Sequence, residues 1–174
     1  KIGLLGGLCE SRRDYLLLIE ALNLLDHNLR KKLKFVALGN SISSSASTII
    51  SKIKDKVELE IISPFLSEKE FEYYGKSCSF LLSPLKEDKP YGTLCGTGTF
   101  GDLVFLGRKL IIPKRVDPYG EYAFGSIYYD NSLDLKNILM NIILENKNGI
   151  LEDKLLEPFS KEEVLKSLEY SSIF

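Results

Sequence analysis

The sequence predicts an α/β fold in which a parallel sheet is covered on both faces by helices, and two observations carry that expectation. Short apolar runs such as KIGLL, KFVAL and SFLLS alternate with amphipathic stretches of helical period along almost the whole chain. Twice, an apolar run leads into a glycine turn and then a helix start. The first turn is Gly6-Gly7, and the second lies in Lys86–Pro113, which holds five of the 13 glycines. Right-handed crossovers bring both turns to the edge formed by the carboxyl ends of the strands, where open α/β sheets take their ligands.

The elements follow in order. Lys1–Leu5 is the first strand, and Ser11 with Asp14 has the spacing of a capping box for a helix with Leu18, Ala21 or Leu22, Leu25 and Leu29 on one face. Lys34–Leu38 is the second strand, closed by Gly39-Asn40, and a serine-rich link leads to a helix carrying Ile49, Ile50 and Ile53. Val57–Ile62 alternates with glutamate as an outer strand does. Ser67-x-x-Glu70 is a capping box for a helix with Phe71 and Tyr74 beneath and Gly75 as its stop. Ser79–Ser83 and Lys109–Pro113 are buried strands around a helix that begins near Thr99, with Thr99 and Asp102 spaced as a capping pair. An irregular segment to Phe124 precedes a short strand at Ser126–Tyr129. Asn131 or Ser132 then caps a helix with Leu135, Ile138, Leu139, Ile142 and Ile143, and Ser160-x-x-Glu163 opens a last amphipathic helix.

With 174 residues, 44% hydrophobic and 27% charged, the chain suits one domain with a substantial core. A formal charge of -1 and a single histidine, His27, argue against a nucleic-acid surface and against histidine-based metal sites. Cys9, Cys78 and Cys95 form no CxxC pair, which points to reduced thiols and a cytoplasmic setting. No run approaches the roughly 20 apolar residues of a membrane span. The chain opens directly in a strand and has its only methionine at Met140, as a domain cut from a longer protein would.

A glycine loop ahead of a helix aims free N–H groups and the positive helix end at one point, which makes an anion site. Neither turn reads GxGxxG, and no Walker lysine follows. Arg12 and Arg13 stand at the mouth of the first turn, where guanidinium forks suit phosphate oxygens; the alternative is a solvated basic pair. Thr97, Gly98, Thr99 and Phe100 would offer N–H groups and hydroxyls to the same anion, or form a plain tight turn. Tyr91, Tyr119 and Tyr122 are candidates to line the cleft.

Taken together, GGLCESRRDYLLLIEAL, KFVALGN, ISPFLSEKEFEYYGKSCSFLLSPL, YGTLCGTGTFGDLVFLGRKLIIP and the closing FSKEEVLKSLEYSSIF resemble, in that order, the C-terminal donor-binding domain of GT-B glycosyltransferases of the group 1 type. The resemblance implies a Rossmann-like domain, one half of a GT-B fold, spanning 1–174 with its closing helix at 160–173 and the N-terminal acceptor domain lying outside this chain. It implies a hexosyltransferase that binds a nucleotide sugar, needs no cofactor and no metal, and serves a polysaccharide or lipid-linked glycan acceptor, in the cytoplasm or at the inner membrane face. Its donor site would use Gly6, Gly7, Arg12, Arg13, Tyr91, Thr97, Gly98, Thr99 and Phe100, with Phe65 and Leu66 at the base. A hydrophobic staple to the following helix explains Phe65 and Leu66 equally well. Asp102 falls where many retaining members carry the second of two glutamates, the ribose-binding one; the first has no match, Glu87 and Asp88 being displaced. The resemblance names no catalytic residue in this half. A nucleotide-sugar epimerase of the same fold and a non-catalytic interaction module are the alternatives.

Overall fold

The computed structural model describes residues 1–8, 10–39, 46–62, 65–92 and 94–165. Its elements in chain order are β1 (Ile2–Leu4), α1 (Tyr15–Asn23), α2 (His27–Arg30), β2 (Lys34–Ala37), α3 (Ala46–Lys54), β3 (Glu58–Ile61), α4 (Glu68–Lys76), β4 (Phe80–Leu82), α5 (Thr99–Leu106), β5 (Leu110–Pro113), β6 (Ser126–Tyr129), α6 (Ser132–Leu144) and α7 (Asp153–Leu156). All pairings are parallel, in the order β3-β2-β1-β4-β5-β6. The order reverses between β1 and β4, so the loops after these two strands part at the switch point, where a crevice forms.

Alternate residues of each central strand feed two separate cores. Ile2, Leu4, Phe35, Ala37, Phe80, Leu82 and Ile111 pack with α1, α3 and α6, whereas Val36, Leu81, Leu110 and Ile112 pack with α5 and the residues around it. Burial on both faces is what a parallel sheet requires. At the outer edge, Lys34 pairs with Glu58 at 2.6 Å and Glu60 at 3.1 Å, which explains the glutamate alternation of β3.

Four local expectations are corrected. Asp14, not Ser11, caps α1, accepting from Leu17 N–H at 3.0 Å. Residues 12–14 are taken up in bridging to the loop after β4: Asp14 N–H donates to Pro84 O at 2.6 Å, Lys86 N–H donates to Arg12 O at 3.2 Å, and Arg13 pairs with Leu85. A helix can start only beyond them. The same helix ends at Asn23, so Leu29 belongs to α2.

Gly75 does not stop α4, which is capped by Ser77. It is buried inside the helix, and a Cβ there would lie 2.6 Å from Leu106 Cδ1, so its role is to let α4 approach α5. Nor do Thr99 and Asp102 form a cap: the N-cap of α5 is Gly98, with no side-chain bond. By contrast, the Ser67–Glu70 box is present in both directions, Asn131 caps α6, and Ser160 Oγ accepts from Glu163 N–H at 3.3 Å. Cys9, Asn40, the serine-rich link at 41–45, Pro64 and the closing helix beyond residue 165 lie outside the described residues.

Candidate functional site

Both glycine turns reach the same edge, and hydrogen bonds tie them together. Gly6 adopts φ +78°, and the backbone of the β2 loop comes so close that a Cβ on Gly39 would lie 2.2 Å from the Gly6 carbonyl carbon. Gly7 O accepts from the Tyr15 hydroxyl at 3.2 Å. Arg12 is exposed, its Nε donating to the Tyr91 hydroxyl at 2.8 Å with the guanidinium 5.8 Å from that ring. Tyr91 is itself buried, so it links the two turns and does not line the cavity described below.

Arg13 turns inward. It is only 8% exposed, its Nε donates to Leu5 O at 3.2 Å, and its buried Nη1 has no hydrogen-bond partner among the described residues. Burial pushes it below the ordinary arginine range, yet a guanidinium stays cationic in proteins. Asp102, in the first turn of α5, is half-buried, and burial pushes it up to about 6, with Arg13 holding it down in part. A buried cation with a spare donor thus sits within electrostatic reach of a carboxyl group poised near neutrality.

The titration has a definite sign. The folded-state value of about 6 lies above the reference 3.8, so the folded chain binds this proton more tightly than the unfolded chain. Wild-type stability therefore falls as pH rises from roughly 4 to 6 and stays lowered above that. Asp102→Asn, which cannot ionise, is expected to melt above wild type at pH 7.5 and together with it at pH 4. Melting curves at the two pH values check this, and a wild-type advantage at pH 7.5 would contradict it.

Around the start of α5 the backbone is open. Among the described residues, a Cβ added to Gly96, Gly98 or Gly101 would meet nothing within 4 Å, and none of the three has positive φ. The chain itself therefore gives no steric or conformational reason for glycine at these positions. Beneath them Thr99, 2% exposed, directs its hydroxyl to Ser83 at 3.2 Å and Thr97 at 2.9 Å. That hydroxyl is spent internally, and Thr99 N–H donates to Thr97 Oγ1 at 3.4 Å, which leaves the N–H groups of Phe100 and Gly101 as the first turn's donors.

A cavity of about 370 Å³ opens beside this helix end, between Cys95, Thr97 and Gly101 on one side and Asp117, Tyr119 and Tyr122 on the other. Phe100 stacks on Tyr122 at 4.0 Å between ring centroids, which fixes the floor. Asp117 shapes the far wall by accepting from the N–H groups of Glu121 and Tyr122 at 2.9 Å each and from the Tyr128 hydroxyl. Burial, followed by that bond, pushes Tyr128 up to about 12. Sequence reasoning missed Asp117: Asp117-Pro118-Tyr119-Gly120 announces a turn, but nothing local says that the carboxylate is buried. Phe65 is 70% exposed, while Leu66 packs into the α5-side core with Phe71, as a staple residue does. His27 is exposed on α2.

No protein-family model matches the chain, and no curated protein sequence matches it. Among solved structures it is similar to a trehalose-6-phosphate structure from E. coli bound with UDP-2-fluoro glucose, at 10% identity and a TM-score of 0.53 over 84% of this chain. It is likewise similar to an apo structure of OtsA, at 10% identity and a TM-score of 0.55 over 84% of this chain. The chain spans 36% of the length of both. The likeness shows the fold: α/β and Rossmann-like, one half of a GT-B arrangement.

Proposed function

We propose that this chain is the donor half of a glycosyltransferase and holds the diphosphate of a nucleotide sugar at the N-terminus of α5. One observation carries the reading: Gly96, Gly98 and Gly101 surround that helix end with open space and ordinary φ, so their lack of side chains serves something outside the chain. Support comes from the spare buried donor of Arg13 and from the UDP sugar bound in one solved relative of the fold.

In this reading the N–H groups of Phe100 and Gly101 face the phosphate oxygens, Arg13 adds its cation, and Asp102 accepts from the ribose hydroxyls. Leu66 and Phe65 are assigned to the base. During transfer the bond between the sugar's anomeric carbon and the diphosphate oxygen breaks, and the electron pair leaves with the diphosphate. An acceptor oxygen bonds to the anomeric carbon and loses its proton to a base. We assign the base and acceptor to a further N-terminal domain, the acceptor being a polysaccharide or lipid-linked glycan, and place the reaction in the cytoplasm. Helix end and guanidinium together stabilise the departing charge, as a metal does elsewhere.

Calorimetric titration of the purified chain with UDP and with GDP tests the proposal. Heat of binding is expected for at least one of them, and none at millimolar nucleotide would overturn it. Asp102→Asn should weaken that nucleotide about tenfold, or about 1.4 kcal/mol.

A further inference from the structure

The edge of the sheet opposite the glycine turns carries a charge the composition conceals. Strand starts and helix ends meet there, in Lys1 and in segments 23–33, 52–57, 76–79, 107–109 and 144–149. Those residues hold eleven lysines and arginines against three acids, Asp26, Asp55 and Glu145, in a chain whose formal charge is -1. Cations suit helix C-termini, which explains Lys52, Lys54 and Lys76. The same reason covers Lys31, the C-cap of α2, but not Lys56 or Lys109, which lie beyond the last turns of α3 and α5.

Part of this charge is already engaged. Lys147 pairs with Glu145 at 2.6 Å, Lys76 with Glu72 at 2.7 Å, and Arg108 donates to the carbonyls of Cys78 and Lys76. Lys31, Lys32 and Lys54 are exposed, and no described ion pair includes them. Lys1, Lys32 and Lys147, from the first residue and two different loops, line one pocket of about 210 Å³, so these three charges share one surface. Two large apolar side chains project on the same edge, Leu24 after α1, 52% exposed, and Leu144 at the end of α6, 62% exposed.

We propose that this edge docks on an anionic lipid surface. Cations interspersed with projecting leucines match such a surface, the lysines attracting its negative potential and the leucines entering the headgroup boundary. Single-stranded nucleic acid is disfavoured because these segments contain no Phe, Tyr or Trp on which a base could stack. Docked in this way, the chain keeps its glycine turns facing away from the lipid.

Co-sedimentation of the purified chain with vesicles tests the idea. Binding is expected to phosphatidylcholine vesicles containing about 30% phosphatidylglycerol, with little to pure phosphatidylcholine, and 0.5 M salt should release it, since exposed charges are screened beyond a few ångströms there. Each lysine near such a surface is worth about 1 kcal/mol, so Lys31→Glu, Lys32→Glu and Lys54→Glu together should weaken binding at least about a hundredfold. A control with the same charge change at the opposite edge, Lys86→Glu, Lys89→Glu and Lys114→Glu, should retain most of it. Leu144→Ser should weaken binding without altering its salt dependence. Equal loss in both triple variants would overturn the assignment, as would tight binding of single-stranded RNA without vesicle binding, or no vesicle binding at low salt.

Discussion

Arg13→Met should leave the chain folded and weaken UDP about a hundredfold, or about 2.7 kcal/mol, while changing uridine affinity by less than about twofold. Arg13 is 8% exposed, and its Nη1 has no partner among the described residues. A buried N–H without a partner costs about 1 to 3 kcal/mol, whereas a hydrogen bond to a charged group contributes about 1.5 to 3 kcal/mol. A phosphate oxygen at that donor would remove the first and supply the second. Methionine keeps an unbranched chain as far as the ε position, removing both the unpaired donor and the bond from Nε to Leu5 O. These losses oppose one another, so the melting midpoint should move by no more than a few degrees. Asp102 would lose the cation that holds it down and should titrate above its present value of about 6. Calorimetry with UDP and uridine, alongside a melting curve, measures all of this. Equal weakening of both ligands would show that Arg13 does not meet the diphosphate.

Gly101→Ala should act in opposite directions on stability and on binding. Gly101 is the third residue of α5, with ordinary helical backbone and open space where its Cβ would be. Alanine there lowers the conformational entropy of the unfolded chain and should stabilise the fold by about 0.5 to 1 kcal/mol, raising the melting midpoint by about 1 to 4 °C. The same methyl group would stand over the N–H groups proposed to hold the phosphates. UDP affinity is expected to fall about thirtyfold, or about 2 kcal/mol. A variant that is more stable and binds UDP as wild type does would mean that the opening beside α5 serves no ligand backbone. One that melts lower would mean that the helix end is not built as described.

The proposed site separates into parts that were legible and parts that were not. Gly98, Gly101 and the helix start near Thr99 could be read because a glycine loop between two apolar runs is a local signal, and the Ser67–Glu70 box because its bonds span three residues. Arg12 and Arg13 were equivalent in sequence. In the fold they diverge, one exposed and tied to Tyr91, the other buried beneath Gly6, where a Cβ on that glycine would lie 2.1 Å from Arg13 Nη2. Neither the Asp117 network nor the near-neutral carboxyl of Asp102 had a local signature, because both come from burial by segments far away in sequence.

By itself the sequence determined the parallel sheet, its strands and the edge on which the glycine turns lie, since the period of apolar residues dictates both the backbone conformation of a segment and the face it buries. Only the tertiary structure decided where α1 could begin, why Gly75 is a glycine and which arginine faces inward. Those outcomes depend on contacts between distant segments, Asp14 with Pro84, Gly75 with Leu106 and Arg13 with Leu85, which arise once the sheet has brought its loops together and which no local pattern of residues encodes.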